Sequence, residues 1–196
     1  MSLARWVPGV LLAVWALPPA TLQGQERLSA GTVLVYRTEG RADQRWLVEG
    51  VESGLSHGGR AGCIRVRFAP GGPRTDAEIR FTCVSGDTVM TWSEGEQAWR
   101  PSRPIAAGDS LEIRGSRGVT LFSTGGLAVD TVSGEAVPVI ATTVLTFDAQ
   151  GVAVRRLRER YAPSLGTATW GAFDQPEGDG WRTTVEFRLV AIERPE

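Results

Sequence analysis

The chain has no lysine and no asparagine. It has one histidine, His57, and two cysteines, Cys63 and Cys83, in 196 residues. Without asparagine there is no acceptor for N-glycosylation. Lysine and asparagine both use A/T-rich codons, so their joint absence reads as a GC-rich bacterial genome. A lone histidine cannot build a histidine-rich metal site. Net charge is missing too, since 21 basic groups, all arginine, stand against 22 acidic ones. No strong field exists to attract nucleic acid or an anionic membrane.

Long hydrophobic runs are also scarce. The most apolar stretch, "VPGVLLAVWAL" from Val7 to Leu17, falls well short of the roughly 20 residues a spanning helix needs. Met1 to Arg5 precedes it with one positive charge, and Pro18-Pro19 ends it. That is the layout of a secretory signal peptide. Residues 1–24 are read as this leader, with cleavage after Ala20 or Gly24. No cysteine lies near the junction to carry a lipid. Residues 25–196 then form one domain, exported to the periplasm or beyond, with no transmembrane span.

No long helical period is present, and no repeat of 20 to 50 residues that would signal a solenoid or propeller. Strand patterns recur instead, separated by glycine turns. Strands are expected near 32–37, 45–51, 63–68, 79–84, 88–92, 110–114, 119–123, 127–132, 137–147, 152–162, 167–171 and 181–192. In the last, Trp181, Thr183, Val185, Phe187 and Leu189 share one face, and Arg182, Thr184, Glu186 and Arg188 the other. One packed and one wet face, with tight turns, implies an all-β fold. The expectation is an antiparallel barrel-like or strongly curved sheet of about 10–12 strands.

"FDAQGV" (147–152) reads as the turn of the longest hairpin. Symmetric closure puts Phe147 opposite Val152 and Leu145 opposite Val154. It sets Thr143, Ala141 and Val139 opposite Arg156, Arg158 and Arg160. Beyond the arginines comes "RYAPSLG". Pro163 has no N–H and holds Ala162 extended, so the strand ends there. Gly166 can take the positive φ that turns the chain into Thr167. Tyr161 shares a face with Leu157, so its ring packs inward while its hydroxyl seeks a backbone partner. Tyr161, Pro163 and Gly166 are therefore read as a structural corner, not a catalytic elbow.

Several motifs invite a functional reading. Gly108-Asp109-Ser110-Leu111 is the signature of GDSL hydrolases, whose serine needs a histidine base held by a carboxylate. Here His57 lies upstream in "SHGGR", and no histidine follows. A serine hydrolase using Ser110 and His57 is the least favoured alternative. Zinc on Cys63, Cys83 and His57 matches no familiar spacing. Asp174, Glu177 and Asp179 in "FDQPEGDG" lack calcium-loop spacing and read as a solvated acidic turn. No metal or cofactor is expected. Arg156, Arg158 and Arg160 span about 13 Å on one face and could chelate an anion. The competing reading pairs them with carboxylates such as Glu186 on a neighbouring strand.

Two cysteines in an exported chain are expected to pair. They lie on strands joined by "APGGPRTD" (69–76). The register that sets Ile64, Val66 and Phe68 against Cys83, Phe81 and Ile79 puts Cys63 on the wrong face. Pairing then needs a bulge at Gly62 or a one-residue shift that sets Arg65 beside Phe81. The expectation is a formed bond and a ladder irregular near Gly62.

Taken in order, "AGTVLVYR" (30–37), "RPIAAGDSLEI" (103–113), "VSGEAVPVIATTVLTFDAQGVAVRRLRERYAPSLG" (132–166) and "VEFRLVAI" (185–192) resemble the bacterial secreted domains of unknown function that include the TapB-like proteins. Tyr161, Ala162, Pro163 and Gly166 match that group's "Y-A-P-G-x-G" corner, with Ser164 in place of its first glycine. Ser133-Gly134-Glu135 stands where Pro-Ala-Gly is usual, and Val33 or Leu34 where an early Trp is usual. The resemblance implies a barrel-like antiparallel fold and export, and no catalytic residues. The reading is an exported non-enzymatic β-domain binding an apolar or amphipathic ligand or an envelope partner. The alternative is a structural or protein-interaction domain with a filled core.

Overall fold

The computed structural model describes residues 28–71, 78–115 and 118–196. The leader and most of the 69–76 turn lie outside these residues. The chain forms twelve strands: β1 (Val33–Thr38), β2 (Gln44–His57), β3 (Arg60–Gly71), β4 (Glu78–Ser85), β5 (Thr88–Ser93), β6 (Ala98–Pro104), β7 (Ser110–Gly115), β8 (Gly118–Val132), β9 (Glu135–Phe147), β10 (Ala153–Ala162), β11 (Thr167–Glu177) and β12 (Gly180–Glu193). All pair antiparallel in one sheet, ordered β6-β5-β4-β3-β2-β1-β12-β11-β10-β9-β8-β7. Each strand pairs with its sequence neighbour except at two places. β1 pairs with β12, from Val33↔Glu193 to Thr38↔Phe187. β6 and β7 are the sheet's two edges. Side-chain bonds bridge the gap, such as Thr124 Oγ1 on β8 donating to the Pro104 carbonyl on β6 at 3.0 Å, and the sheet is nearly closed into a barrel.

Two strands depart from the expected pattern. β6, outside the expected set, contains Pro101 and Pro104, residues that disfavour a strand interior. An edge tolerates them, since its outer side donates no ladder hydrogen bonds. Conversely, Gly125-Gly126 reads as a break between two strands. The structure carries β8 through it with a bulge between Thr124 and Gly126.

The β9–β10 hairpin corrects the symmetric register. Phe147 lies opposite Ala153, and the register slips between Ala153 and Arg155. Leu145 therefore faces Arg156, Thr143 faces Arg158 and Ala141 faces Arg160. Beyond the slip the pairing lies two residues from the symmetric one, so from Arg156 onward side chains keep the expected face while their partners change. β12 departs more sharply. Phe173 pairs with Val185 but Asp174 with Thr183, so Thr184 is an extra residue. Trp181 and Thr183 consequently join the outer, arginine-bearing face. Val185 and Phe187 point into the barrel.

The core gathers at the end where the β8–β9 turn and the ends of β10 and β12 meet. Val132, Val137 and Val139 pack with Leu28, Leu34, Ala162, Leu165, Leu189 and Ile192. The β8–β9 tip is tied down by the Ser133 hydroxyl, which accepts the Ile192 N–H at 3.3 Å. The corner lies here as expected. β10 stops at Ala162, Pro163–Leu165 make one 3-10 turn, and Gly166 takes φ 62°.

Cys63 and Cys83 are bonded, with Cα atoms 4.4 Å apart. The strands take the shifted register, with Arg65 opposite Phe81 and Ile64 opposite Thr82. That ladder is regular. The irregularity falls on the other side of β3, where the register against β2 slips on both sides of Leu55↔Cys63, and Gly62 takes φ 71°. These slips curl the β2–β3 tip over β4–β6. His57 stacks on Phe81 with centroids 4.4 Å apart and meets Trp92 edge-on. Trp99 Nε1–H donates to the His57 carbonyl at 3.0 Å. Only glycine fits at the tip, because a Cβ on Gly58 would lie 2.4 Å from Trp92.

The disulfide pins that curl and closes a loop of 20 residues. Mass spectrometry of the non-reduced protein is expected to find no free thiol. The double Cys63→Ser, Cys83→Ser variant should lose about 3 kcal/mol in denaturant titration. Two titratable thiols in the native protein would refute the pairing.

Candidate functional site

Above the packed end, the barrel holds a cavity of about 700 Å³. It runs from the β1–β2 turn, where Thr38, Arg41 and Gln44 line it, down to a polar floor. Its walls are Trp46, Phe68, Phe122, Leu157, Phe173, Val185 and Phe187. Phe187 lies against Gly171, where a Cβ would fall 2.3 Å from the ring. The missing side chain thus lets an aromatic wall lie flat on β11.

Three side chains reach across the barrel to make the floor. Tyr36 on β1 extends to the start of β11, its hydroxyl 2.9 Å from Thr167 Oγ1 and donating to the Ala168 carbonyl at 3.1 Å. Arg80 on β4 lies over Phe68 at 5.1 Å and donates to the Gly166 carbonyl at 3.5 Å. Arg103 on β6 lies over the Tyr161 ring at 4.1 Å and donates from Nε to Glu159 at 2.6 Å. Glu159 is only 6% exposed. Burial works against the Arg103 charge, but Glu159 beside it more than compensates and holds its pKa above the usual value.

Both tyrosines are neutral at physiological pH. Burial pushes the Tyr36 hydroxyl up to about 12, against smaller opposing effects of Thr167 and Arg80. Burial likewise raises Tyr161, with Arg103 and Arg80 opposing. The hydroxyl that binds backbone at the corner is Tyr36's, an inter-strand version of what Tyr161 was expected to do. Tyr161 supplies the buried ring.

The arginine stripe points outward, and each of its members is paired with an aspartate. Arg156 and Arg158 both donate from Nε to Asp174, at 2.7 and 2.9 Å, and Arg160 pairs with Asp130 at 2.6 Å. Arg156 lies over Trp181, and Arg158 and Arg160 over Trp170. Glu186, the expected partner, instead accepts from Trp170 Nε1 at 2.9 Å.

Asp174 is also not part of a solvated turn. It lies in β11, is 0% exposed, and accepts from Thr183 as well. Glu177 ends the same strand, leaving Gly178-Asp179 as the turn. Among the described residues no cluster of three or more metal-ligating side chains occurs.

Ser110 opens β7, exposed and paired with Ser123. His57 is enclosed by Phe81, Trp92 and Trp99, and its Nε2 is buried without a hydrogen-bond partner. The disulfide occupies both sulfurs that zinc would need.

Sequence reading missed Tyr36, Arg80, Arg103 and Glu159. One signal was present. Glu159 has the parity of Leu157 and Tyr161, so a charge was due on the packed face and needed a partner. No family model, curated protein or solved structure matches the chain.

Two outcomes test these side chains. Tyr161→Ala should cost about 3 kcal/mol, as for a buried aromatic. Unchanged stability in urea would contradict its place under Arg103. For Asp174, burial raises the pKa, but the bonds from Arg158, Thr183 and Arg156 outweigh it and bring the value to about 2. A folded value below the unfolded one stabilises the protein above about pH 4 and is lost as pH falls toward 2, by roughly 2 kcal/mol. Asp174→Asn should flatten that acid limb and cost about 3 kcal/mol at neutral pH, since two arginines lose their anion. An unaltered acid limb would contradict the assignment.

Proposed function

We propose that the protein is an exported, non-enzymatic barrel-like domain that holds an apolar or amphipathic ligand in its interior. The observation that carries this reading is the aromatic-walled cavity, about 700 Å³, within the range of small-molecule sites. A purely structural barrel of this size would fill such space with side chains. Export is supported by the Cys63–Cys83 bond, which belongs to an oxidising compartment, together with the leader pattern of residues 1–24. No helix among the described residues is long and apolar enough to cross a membrane. The non-enzymatic reading draws on the neutral tyrosines and on the enclosure of the lone histidine. Kinship with the TapB-like group belongs to the same proposal and rests on motif order.

An envelope partner is the second reading. Leu127 and Val129, each 64% exposed, favour it, because they lie on β8 beyond the stretch that pairs with β7. Charging both residues should leave cavity binding unchanged under either reading.

An apolar fluorescent dye should bind the purified protein with a blue-shifted, enhanced emission. Val185→Trp and Leu157→Trp, which fill the cavity from either side of Phe173, should abolish that signal at unchanged far-UV circular dichroism. A dye signal that persists in both filled variants would place binding elsewhere.

A further inference from the structure

We infer that the ligand is an amphiphile with an anionic head, a carboxylate or phosphate monoester, bound head-down against Arg80 and Arg103. This rests on the interior-ligand reading above. The cavity lining carries four arginines, Arg41, Arg80, Arg100 and Arg103, and a single carboxylate, Glu159. Arg80, Arg100 and Arg103 pair with Glu78, Glu96 and Glu159, but of these carboxylates only Glu159 reaches the lining, so the wall facing a ligand is cationic. The two arginines at the floor are held rigidly by stacking, Arg80 on Phe68 and Arg103 on Tyr161. Each also has a donor to spare. Arg80 spends Nε on Glu78 and Nη1 on the Gly166 carbonyl, and Arg103 spends Nε on Glu159 and Nη1 on Ser102. Among the described residues neither Nη2 group donates to a protein atom, and neither is sealed away as a buried unpartnered atom. Both are therefore accessible, on residues that line the cavity.

The geometry also orients the ligand. Glu159 anchors Arg103 through Nε and leaves Nη2 without a protein partner among the described residues, as a donor for an anion. Glu78, the partner of Arg80, is outside the lining, and its side chain is 45% exposed. Water therefore screens its claim on Arg80 more than it would screen a ligand within the cup. The apolar walls rise from this floor toward the β1–β2 turn, so a tail leaves the head in that direction. Arg41 and Gln44 at the mouth are exposed and hydrated, which makes them weaker seats for a head group than the floor.

The test is dye displacement by four amphiphiles of one chain length: the alkyl carboxylate, the alkyl phosphate, the alcohol and the trimethylammonium. The two anions should displace at least tenfold more tightly than the alcohol, and the trimethylammonium most weakly. Their relative order identifies which anionic head fits better. Arg80→Gln should weaken the anions about tenfold and leave the alcohol unchanged. Because Arg103→Gln alone strands Glu159, Arg103→Gln with Glu159→Gln is the companion variant, and it should show the same selective loss. Equal displacement by all four heads, or an equal loss for anion and alcohol in both variants, overturns the head-group inference and leaves the interior-ligand reading standing. Displacement by none of the four, with dye binding insensitive to the filling variants, overturns both.

Discussion

The pairing of β1 with β12 is what makes this molecule one sheet. Every other ladder joins strands adjacent in sequence, so without β1·β12 the chain would be two six-stranded meanders. That ladder brings Val33 beside Glu193, nearly the full length of the described chain apart. The loop-closure cost grows only logarithmically with such a separation, and it is met where the apolar side chains concentrate. Leu34 and Tyr36 on one strand, and Leu189 and Ile192 on the other, belong to the main core. Closure also sets Tyr36 within reach of Thr167 and Ala168.

The opposite seam is handled differently. β6 and β7 are not joined by a ladder, and prolines at 101 and 104 remove two of the N–H groups β6 could offer to another chain. Polar side chains bridge the gap instead, foremost Arg103, which reaches from the β6 edge to Glu159 and Tyr161 on β10. A seam closed by side chains leaves space that a closed ladder would compress. The cavity and the near-closure are thus two consequences of one arrangement. The β8–β9 hairpin plugs one end with valines, and the floor arginines mark where the plug gives way to open space.

Outside the barrel the same residue type plays the reverse part. Arg156, Arg158 and Arg160 are the most conspicuous cations in the sequence, yet Asp174 and Asp130 occupy them. The inconspicuous Arg80 and Arg103 are those that line the cavity floor. Local density of charge was a poor guide because pairing depends on which carboxylates the neighbouring strands bring to the same face. Asp174 meets the stripe through the β10–β11 ladder, and the slip against β12 adds Thr183 to it.

By itself the sequence determined the all-β class, the strand count within one merged pair and one missed edge, the Pro163–Gly166 corner and the cysteine pair. These follow from short-range rules: period-two alternation, the missing proline N–H, the positive φ open to glycine, and the need of two thiols in an oxidising compartment. Tertiary structure alone decided the register of β9–β10, the face of Trp181 and Thr183, the partner of each arginine and the existence of the cavity. Each of those turns on a bulge or on a pairing between distant strands. A one-residue bulge leaves the local pattern of residue types unchanged while it reverses which face every later side chain takes.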